Sequence, residues 1–392
     1  MNLKIIFTIG ILTTWLPYAH AYKVVDDIAT VSGGYEIPIK ILLPENATGK
    51  RPVQFNVHGG GWNGGDKTQV PPASVPADAT FLCDRLGIIY VGLAYRCKGN
   101  DGTFALAMQN LEASIGWFAD RADQFGADMS RIGFTGGSAG TTLSALLAQR
   151  YRECKLYVGS EGMYNLVDHD TLRSYFPNAT GRANYGLVTY EESFNASPFY
   201  NLREKPATAL LLHGSDDFLC HPSQSQKFAE KIRQSGGQAE VILFNGINHT
   251  CRNPNYPEVL TTSVLAIARL FEKEFDLPTV DYNQLQKDLD LKLAGKYPHK
   301  RPSVQKIIGT WEGKKGSVVI MEKGNGMFIS RNERSETPFT YHIEGNKIAV
   351  KQKEMPLYRE FYLRTNGQFI YELILEESRL KSRREDYSKT GD

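Results

Sequence analysis

Residues 131–140 read Arg-Ile-Gly-Phe-Thr-Gly-Gly-Ser-Ala-Gly. An apolar run, Ile132 to Thr135, enters a G-x-S-x-G pattern, and a helix-like run, Thr141 to Arg150, leaves it. In a strand–turn–helix setting this is a nucleophile elbow, a turn so tight that only small residues fit beside the serine. It lifts the Ser138 hydroxyl clear of the sheet, where a carbonyl carbon can reach it. A serine hydroxyl is a poor nucleophile at neutral pH. It needs a base within hydrogen-bond reach and a third group to orient that base.

Candidates for both partners follow in the order acid, then histidine. Leu210-Leu-Leu-His-Gly-Ser-Asp-Asp217 is an apolar run ending in two carboxylates, and Asp216 and Asp217 compete for the acid role. Val241 to Phe244 is the next apolar run, and His249 lies in the loop beyond it. His213 reads as a structural residue at a strand end, and His221, near the acid loop, is a rival base. An anion pocket is encoded upstream, where Gln54-Phe-Asn-Val57 runs into His58-Gly-Gly-Gly-Trp62. Gly60 and Gly61 are expected to donate backbone N–H groups from this loop, and Ala139 from the elbow. The same stretch matches G-x-G-x-x-G at Gly59, Gly61 and Gly64. That fingerprint must open a helix directly, and Asp66, Pro71 and Pro72 follow instead, which excludes a dinucleotide site and leaves no cofactor or metal expected.

The elements that must position these groups alternate between apolar runs and helical stretches from Val53 to about Phe275. Strands are predicted at 53–57, 88–95, 132–135, 156–158, 209–212 and 241–244. A helix ends near Gly87, and others run over 104–118, 222–236 and 257–275; the first of these three carries apolar residues at 104, 108, 111, 115 and 118. Alternation of this kind predicts an α/β doubly wound, mostly parallel sheet. Residues 161–205 break the rhythm with many aromatics and read as an insertion beside the site, or as ordinary cover for the sheet edge. Residues 277–303 read as a helical linker. From Val304 to Asp392, alternating runs are separated by turns at Lys323–Gly326, Glu344–Asn346 and Thr365–Gly367. They predict about seven strands in a small antiparallel β domain, and Ile308-Gly-Thr-Trp-Glu312 resembles the opening strand of lipocalin-like domains.

The chain has 392 residues, 41% hydrophobic and 22% charged, with a net charge of +2. That is enough for two globular units and argues for no nucleic-acid partner. Residues 300–392 hold 18 Lys and Arg against 13 Asp and Glu, read as a solvated face. Met1 to Ala21 has a charged start, a short apolar stretch and an A-x-A site, so it reads as a signal peptide cut after Ala21. A retained anchor is the competing reading, but the apolar stretch is shorter than the roughly 20 residues a span needs, so no stable membrane insertion is expected. The expected location is secreted or periplasmic. Asn46, Asn178, Asn195 and Asn248 fit glycosylation acceptors. The five cysteines, Cys83, Cys97, Cys154, Cys220 and Cys251, form no C-x-x-C.

Taken as a set, His58-Gly-Gly-Gly-Trp-Asn-Gly-Gly-Asp-Lys67, Gly136-Gly-Ser-Ala-Gly140 and Asn195-Ala-Ser-Pro198 resemble the bacterial acetyl/feruloyl esterase-like branch of the α/β-hydrolase superfamily, near the hormone-sensitive-lipase carboxylesterases. The resemblance covers about residues 35–275. It implies an α/β-hydrolase catalytic domain over 22–276 and a triad of Ser138, Asp217 and His249; the family's H-G-x-x-D spacing selects Asp217 over Asp216. Gly137 replaces the acidic residue common before the nucleophile in hormone-sensitive-lipase relatives, and Thr141 replaces a common glycine. The implied activity is hydrolysis of small-molecule or carbohydrate esters, with acetyl or hydroxycinnamoyl acyl groups. Amide cleavage on the same triad is the runner-up, although prolyl-peptidase relatives carry a bulkier residue than Ala139. A catalytically inactive binding protein is a third reading, and such proteins usually lose a triad member. A triad also brings the 217 and 249 loops together, from which a Cys220–Cys251 disulfide is expected, with Cys83–Cys97 as a second pairing.

Overall fold

The computed structural model describes residues 22–45, 49–64, 67–167, 185–215, 217, 219–245, 247–249, 251–252, 257–296, 308–313, 316–321, 324–330, 335–344, 347–352, 369–376, 379–382 and 386–389. The expected signal peptide, the centre of the 161–205 segment, Asp216, the acceptors Asn46 and Asn178, and residues 297–303 lie outside them.

Eight strands form one sheet: β1 (Tyr22–Ser32), β2 (Tyr35–Pro44), β3 (Arg51–Val57), β4 (Ile89–Leu93), β5 (Ala127–Gly137), β6 (Cys154–Ser160), β7 (Thr208–Gly214) and β8 (Ala239–Phe244). Their spatial order is β1-β2-β4-β3-β5-β6-β7-β8. The first hairpin pairs antiparallel with itself and with β4, and every pairing from β4 to β8 is parallel. The inner strands are buried on both faces, so they read as continuous apolar runs, which made them visible in the sequence.

Helices α1 (Ala79–Leu86), α2 (Phe104–Ala119), α3 (Ala139–Arg150), α4 (Tyr190–Asn195), α5 (Ser223–Gln234), α6 (Pro257–Glu274) and α7 (Tyr282–Lys296) cover the sheet. They divide into two cores. Val53, Phe55, Val57 and Leu211 face one core with α2, α3 and α5, while Tyr90, Leu156, Val158, Leu210 and Leu212 face a second with α1, α6 and α7. Alternate residues of one strand thus serve opposite layers. Helix α7, expected as a linker, buries Leu285, Leu289 and Leu293 in the second core. Gly87 ends α1 in the left-handed conformation, at φ 64°.

The chain runs from β3 outward to β4, then crosses back to β5 on the other side of β3. The connections leaving β3 and β5 therefore diverge. In an open parallel sheet that reversal leaves a crevice at the carboxyl ends of the two strands. Val57 lies opposite Gly136 in the β3–β5 register, so the glycine loop after β3 and the elbow after β5 face each other across it.

The C-terminal strands β9 (Gly309–Glu312), β10 (Gly316–Ile320), β11 (Asn325–Ser330), β12 (Ser335–Glu344), β13 (Lys347–Gln352), β14 (Phe369–Glu376), β15 (Arg379–Ser382) and β16 (Asp386–Lys389) form a closed antiparallel barrel. Each pairs with the next, and β16 returns to β9. Among the described residues there are eight strands where about seven were expected; β15 and β16 are four residues long and too polar to show alternation. The α/β sheet followed by a small antiparallel β unit is otherwise the architecture the sequence predicts.

Candidate active site

Ser138 stands between the last residue of β5 and the first of α3, at φ 52° and ψ −125°. A non-glycine residue in this region is strained, as the elbow turn requires. The surrounding glycines are contacts rather than hinges: a Cβ on Gly59 would lie 2.7 Å from the Gly137 carbonyl oxygen and 3.2 Å from Ser138 Cβ. The Ser138 N–H donates to the Ser160 carbonyl at 2.9 Å, fixing the elbow to the end of β6.

In the facing loop, Gly60 and Gly61 adopt φ 110° and 62°, and Trp62 follows at 59°. Three consecutive positive φ values curl the backbone at the crevice mouth, where Gly60 is exposed. Trp62 locks the curl. Its ring is 1% exposed, stacks on Tyr185 at 5.2 Å and meets Phe104 edge-on at 6.2 Å. Its indole Nε1–H donates to the Ala139 carbonyl at 3.0 Å, tying the loop with Gly60 and Gly61 to the residue expected to complete the anion pocket. His58 stacks on Tyr95 at 4.3 Å and donates Nδ1–H to the Gly59 carbonyl at 2.8 Å, while the Tyr95 hydroxyl donates to the His58 carbonyl at 2.9 Å. Burial pushes the His58 ring below its ordinary pKa, so it sits neutral beside the pocket.

Beyond β7, the Asp217 carboxylate is buried and filled on both oxygens. Oδ1 accepts the Leu219 and Cys220 N–H groups, both at 2.9 Å. Oδ2 lies 2.7 Å from His249 Nδ1 and 3.1 Å from His213 Nε2. Burial opposes the charge, but the charge of His249 and hydrogen bonds from His213 and His249 outweigh it, holding the carboxyl well below the usual range. His213, expected as a strand-end residue, is fully buried and touches the acid: Nδ1 meets Ser225 Oγ at 2.7 Å and Nε2 the Cys220 carbonyl at 2.8 Å. The rival His221 accepts the Ser223 N–H on Nδ1 at 3.2 Å, at the start of α5. The structure thus joins Asp217 to His249, with Ser138 on the elbow and Gly60, Gly61 and Ala139 on the two walls of the crevice.

The disulfide expectation requires correction. All five cysteines are buried free thiols. Cys220 packs in the core with α2, α3 and α5, whereas Cys251 packs in the core with α1, α6 and α7. Cys97 and Cys83 are divided in the same way. Adjacent loops do not help when the two side chains point to opposite faces of a sheet.

Residues absent from the sequence prediction complete the site. Arg252 donates to both oxygens of Asp78, at 2.6 and 2.7 Å, and to Thr135 Oγ1 at 3.2 Å, anchoring the chain three residues beyond His249. Glu161, 7% exposed, accepts the Cys251 N–H. Trp62 adjoins the glycine run and could have been flagged by that position; Glu161 and Arg252 carry no motif. Of the aromatics in the 161–205 segment, Tyr164 and Tyr185 are core, with Tyr164 stacked on Phe228 at 4.2 Å, while Tyr190 is exposed.

A family model designated BD-FAE matches residues 39–172. An isoprenylcysteine alpha-carbonyl methylesterase of Arabidopsis thaliana is 30% identical over 238 residues, covering 54% of this chain and 53% of its own. Esterase LipQ of Mycobacterium tuberculosis is 28% identical over 230 residues, with 54% and 53% covered. The chain therefore spans about half the length of the curated relatives it matches. The solved structure of Thermogutta terrifontis esterase Est2 with propionate bound superposes at a TM-score of 0.53 and 19% identity, covering 68% of this chain and 98% of that one. That likeness speaks for the fold.

Proposed function

We propose that this chain is a serine esterase of the α/β-hydrolase superfamily, on its hormone-sensitive-lipase-like carboxylesterase side, acting through Ser138, His249 and Asp217; the BD-FAE match, the esterase relatives and the fold support this reading. The observation that carries this reading is the 2.7 Å contact between Asp217 Oδ2 and His249 Nδ1, with the elbow serine at the same edge of the sheet, after β5, two strands from β7. Asp217 holds the proton on Nδ1 and leaves Nε2 as the base. Ser138 Oγ attacks the ester carbonyl as Nε2 takes its proton. The tetrahedral oxyanion is held by the N–H groups of Gly60, Gly61 and Ala139, and the imidazolium then protonates the departing alcohol. Water repeats the sequence on the acyl-enzyme and releases the acid.

The substrates on this reading are acetyl or hydroxycinnamoyl esters of polysaccharides, or small soluble esters, and residues 1–21 export the protein before removal. A fluorophosphonate probe tests the nucleophile. It should label the wild type at a single residue and leave Ser138→Ala unlabelled, with turnover of p-nitrophenyl acetate lost in parallel. Labelling that persists in Ser138→Ala defeats the proposal. Rates on acetylated and feruloylated oligosaccharides then rank the acyl groups, and amino-terminal sequencing of exported protein checks cleavage after Ala21.

A further inference from the structure

The end of β6 reaches all three segments of the site. The Ser160 carbonyl accepts the Ser138 N–H at 2.9 Å. One residue later, the Glu161 N–H donates to the Leu212 carbonyl at 2.9 Å, on the strand that leads to Asp217. The Glu161 carboxylate accepts the N–H of Cys251, two residues beyond His249. The last residue of β6 and the one after it therefore bond to the elbow, to the acid's strand and to the histidine's loop.

Glu161 occupies this place at a cost. Its φ is 51°, a region that favours glycine, and its carboxylate is buried. Glycine would relieve the backbone and lose the acceptor. The strained residue is therefore the one whose side chain the histidine loop depends on. Its charge acts on Cys220, from the acid's loop, and on Cys251 and Arg252, from the histidine's loop; Asp217 acts on the same two thiols, Asp78 and Tyr90 act on Arg252, and His213 and His249 both meet Asp217. Burial pushes the Cys220 and Cys251 thiols upward and the Glu161 charge adds to it; at Arg252 burial is outweighed by Asp78, with Tyr90 and Glu161 also favouring the charged form.

We infer that Glu161 is a positioning residue for His249: its carboxylate fixes the histidine loop through the Cys251 N–H and sets a negative charge against that loop, two residues from the imidazole. The inference rests on the triad reading above. A nearby carboxylate favours the imidazolium, which forms as Ser138 attacks, so removing the charge lowers the pH at which the histidine titrates.

Two variants separate geometry from charge, with kcat, KM and the pH dependence of kcat/KM measured on p-nitrophenyl acetate. Glu161→Ala removes both and is expected to lower kcat roughly 10–100-fold with KM nearly unchanged, the effect of a displaced catalytic group. Glu161→Gln keeps an acceptor for Cys251, so it should restore most of kcat while the acidic limb of kcat/KM moves to lower pH. Wild-type kcat in Glu161→Ala, or an unmoved acidic limb in Glu161→Gln, overturns the inference. If Glu161→Ala does not fold, the limb in Glu161→Gln decides alone. Ser138→Ala separates the two levels: should it remain active, the triad itself is wrong, whereas an inactive Ser138→Ala beside an unperturbed Glu161 series removes only the role of Glu161.

Discussion

Asp217→Asn is the sharpest perturbation of this site, because the donors around the carboxylate dictate what the amide must do. Four groups point at it: two backbone N–H groups at Oδ1, and His249 and His213 at Oδ2. An amide has one oxygen and one NH2, so it satisfies one side at the expense of the other. The backbone pair cannot move, so the oxygen stays there and the NH2 faces the histidines. His213 retains the Cys220 carbonyl for its Nε2–H. His249 must present a lone pair at Nδ1, which puts its proton on Nε2, the nitrogen proposed to take the Ser138 proton. An imidazole in that tautomer cannot accept the serine proton. Inverting the tautomer in a serine protease triad costs about 10⁴ in kcat, or ~5.4 kcal/mol of barrier. Exchanging charge-assisted bonds for neutral ones should remove a further ~1–3 kcal/mol of stability. The assay is kcat on p-nitrophenyl acetate at pH 7.5 beside a thermal melt. A folded Asp217→Asn enzyme that keeps more than about a thirtieth of wild-type kcat would refute the tautomer argument.

Trp62→Phe keeps the stack on Tyr185 but deletes the indole bond to Ala139. It should cost ~1 kcal/mol, seen as a roughly five-fold fall in kcat, whereas Trp62→Ala should destabilise the fold by ~3–5 kcal/mol in urea. Leu289→Ala in α7 should cost ~2–5 kcal/mol by chemical denaturation, a loss expected only if that helix belongs to the catalytic core. Burial pushes the Cys83, Cys97 and Cys154 thiols up to about 12. Unfolded thiols ionise first as pH rises past about 8.5, so their contribution is full below that and is withdrawn toward pH 12, by up to ~1.4 kcal/mol per thiol per pH unit; melts from pH 8 to 11 check this. At pH 8 a thiol reagent should find none of the five reactive in native protein and all five in guanidinium.

Much of this molecule was legible because its central strands are buried on both faces. Continuous apolar runs marked β3 to β7 and, at the partly exposed edge, Val241 to Phe244 marked β8; each site residue follows the end of one of these strands. Ser138 and the glycine loop carry motifs because the backbone there admits few side chains. The opening hairpin was missed because β1 is a largely polar edge strand and because Pro38 interrupts the Ile37, Ile39, Ile41 alternation of β2, where a proline argues against a strand. The disulfide was misjudged because chain proximity says nothing about which face of the sheet a side chain enters. Glu161 and Arg252 were invisible for a related reason: their partners, Cys251 and Asp78, are 90 and 174 residues away.

Five reduced sulfurs inside a protein expected to meet oxidising surroundings make its denaturation a one-way event. While folded, each of the five thiols is buried and outside any disulfide. Once the chain opens, every thiol is released at once, with an odd number to pair. Scrambled and intermolecular bridges formed in that state block the return to a fold that holds its cysteines reduced. The working lifetime of such an enzyme is set by how seldom it unfolds, and recovery after heating should appear only when a reductant is present.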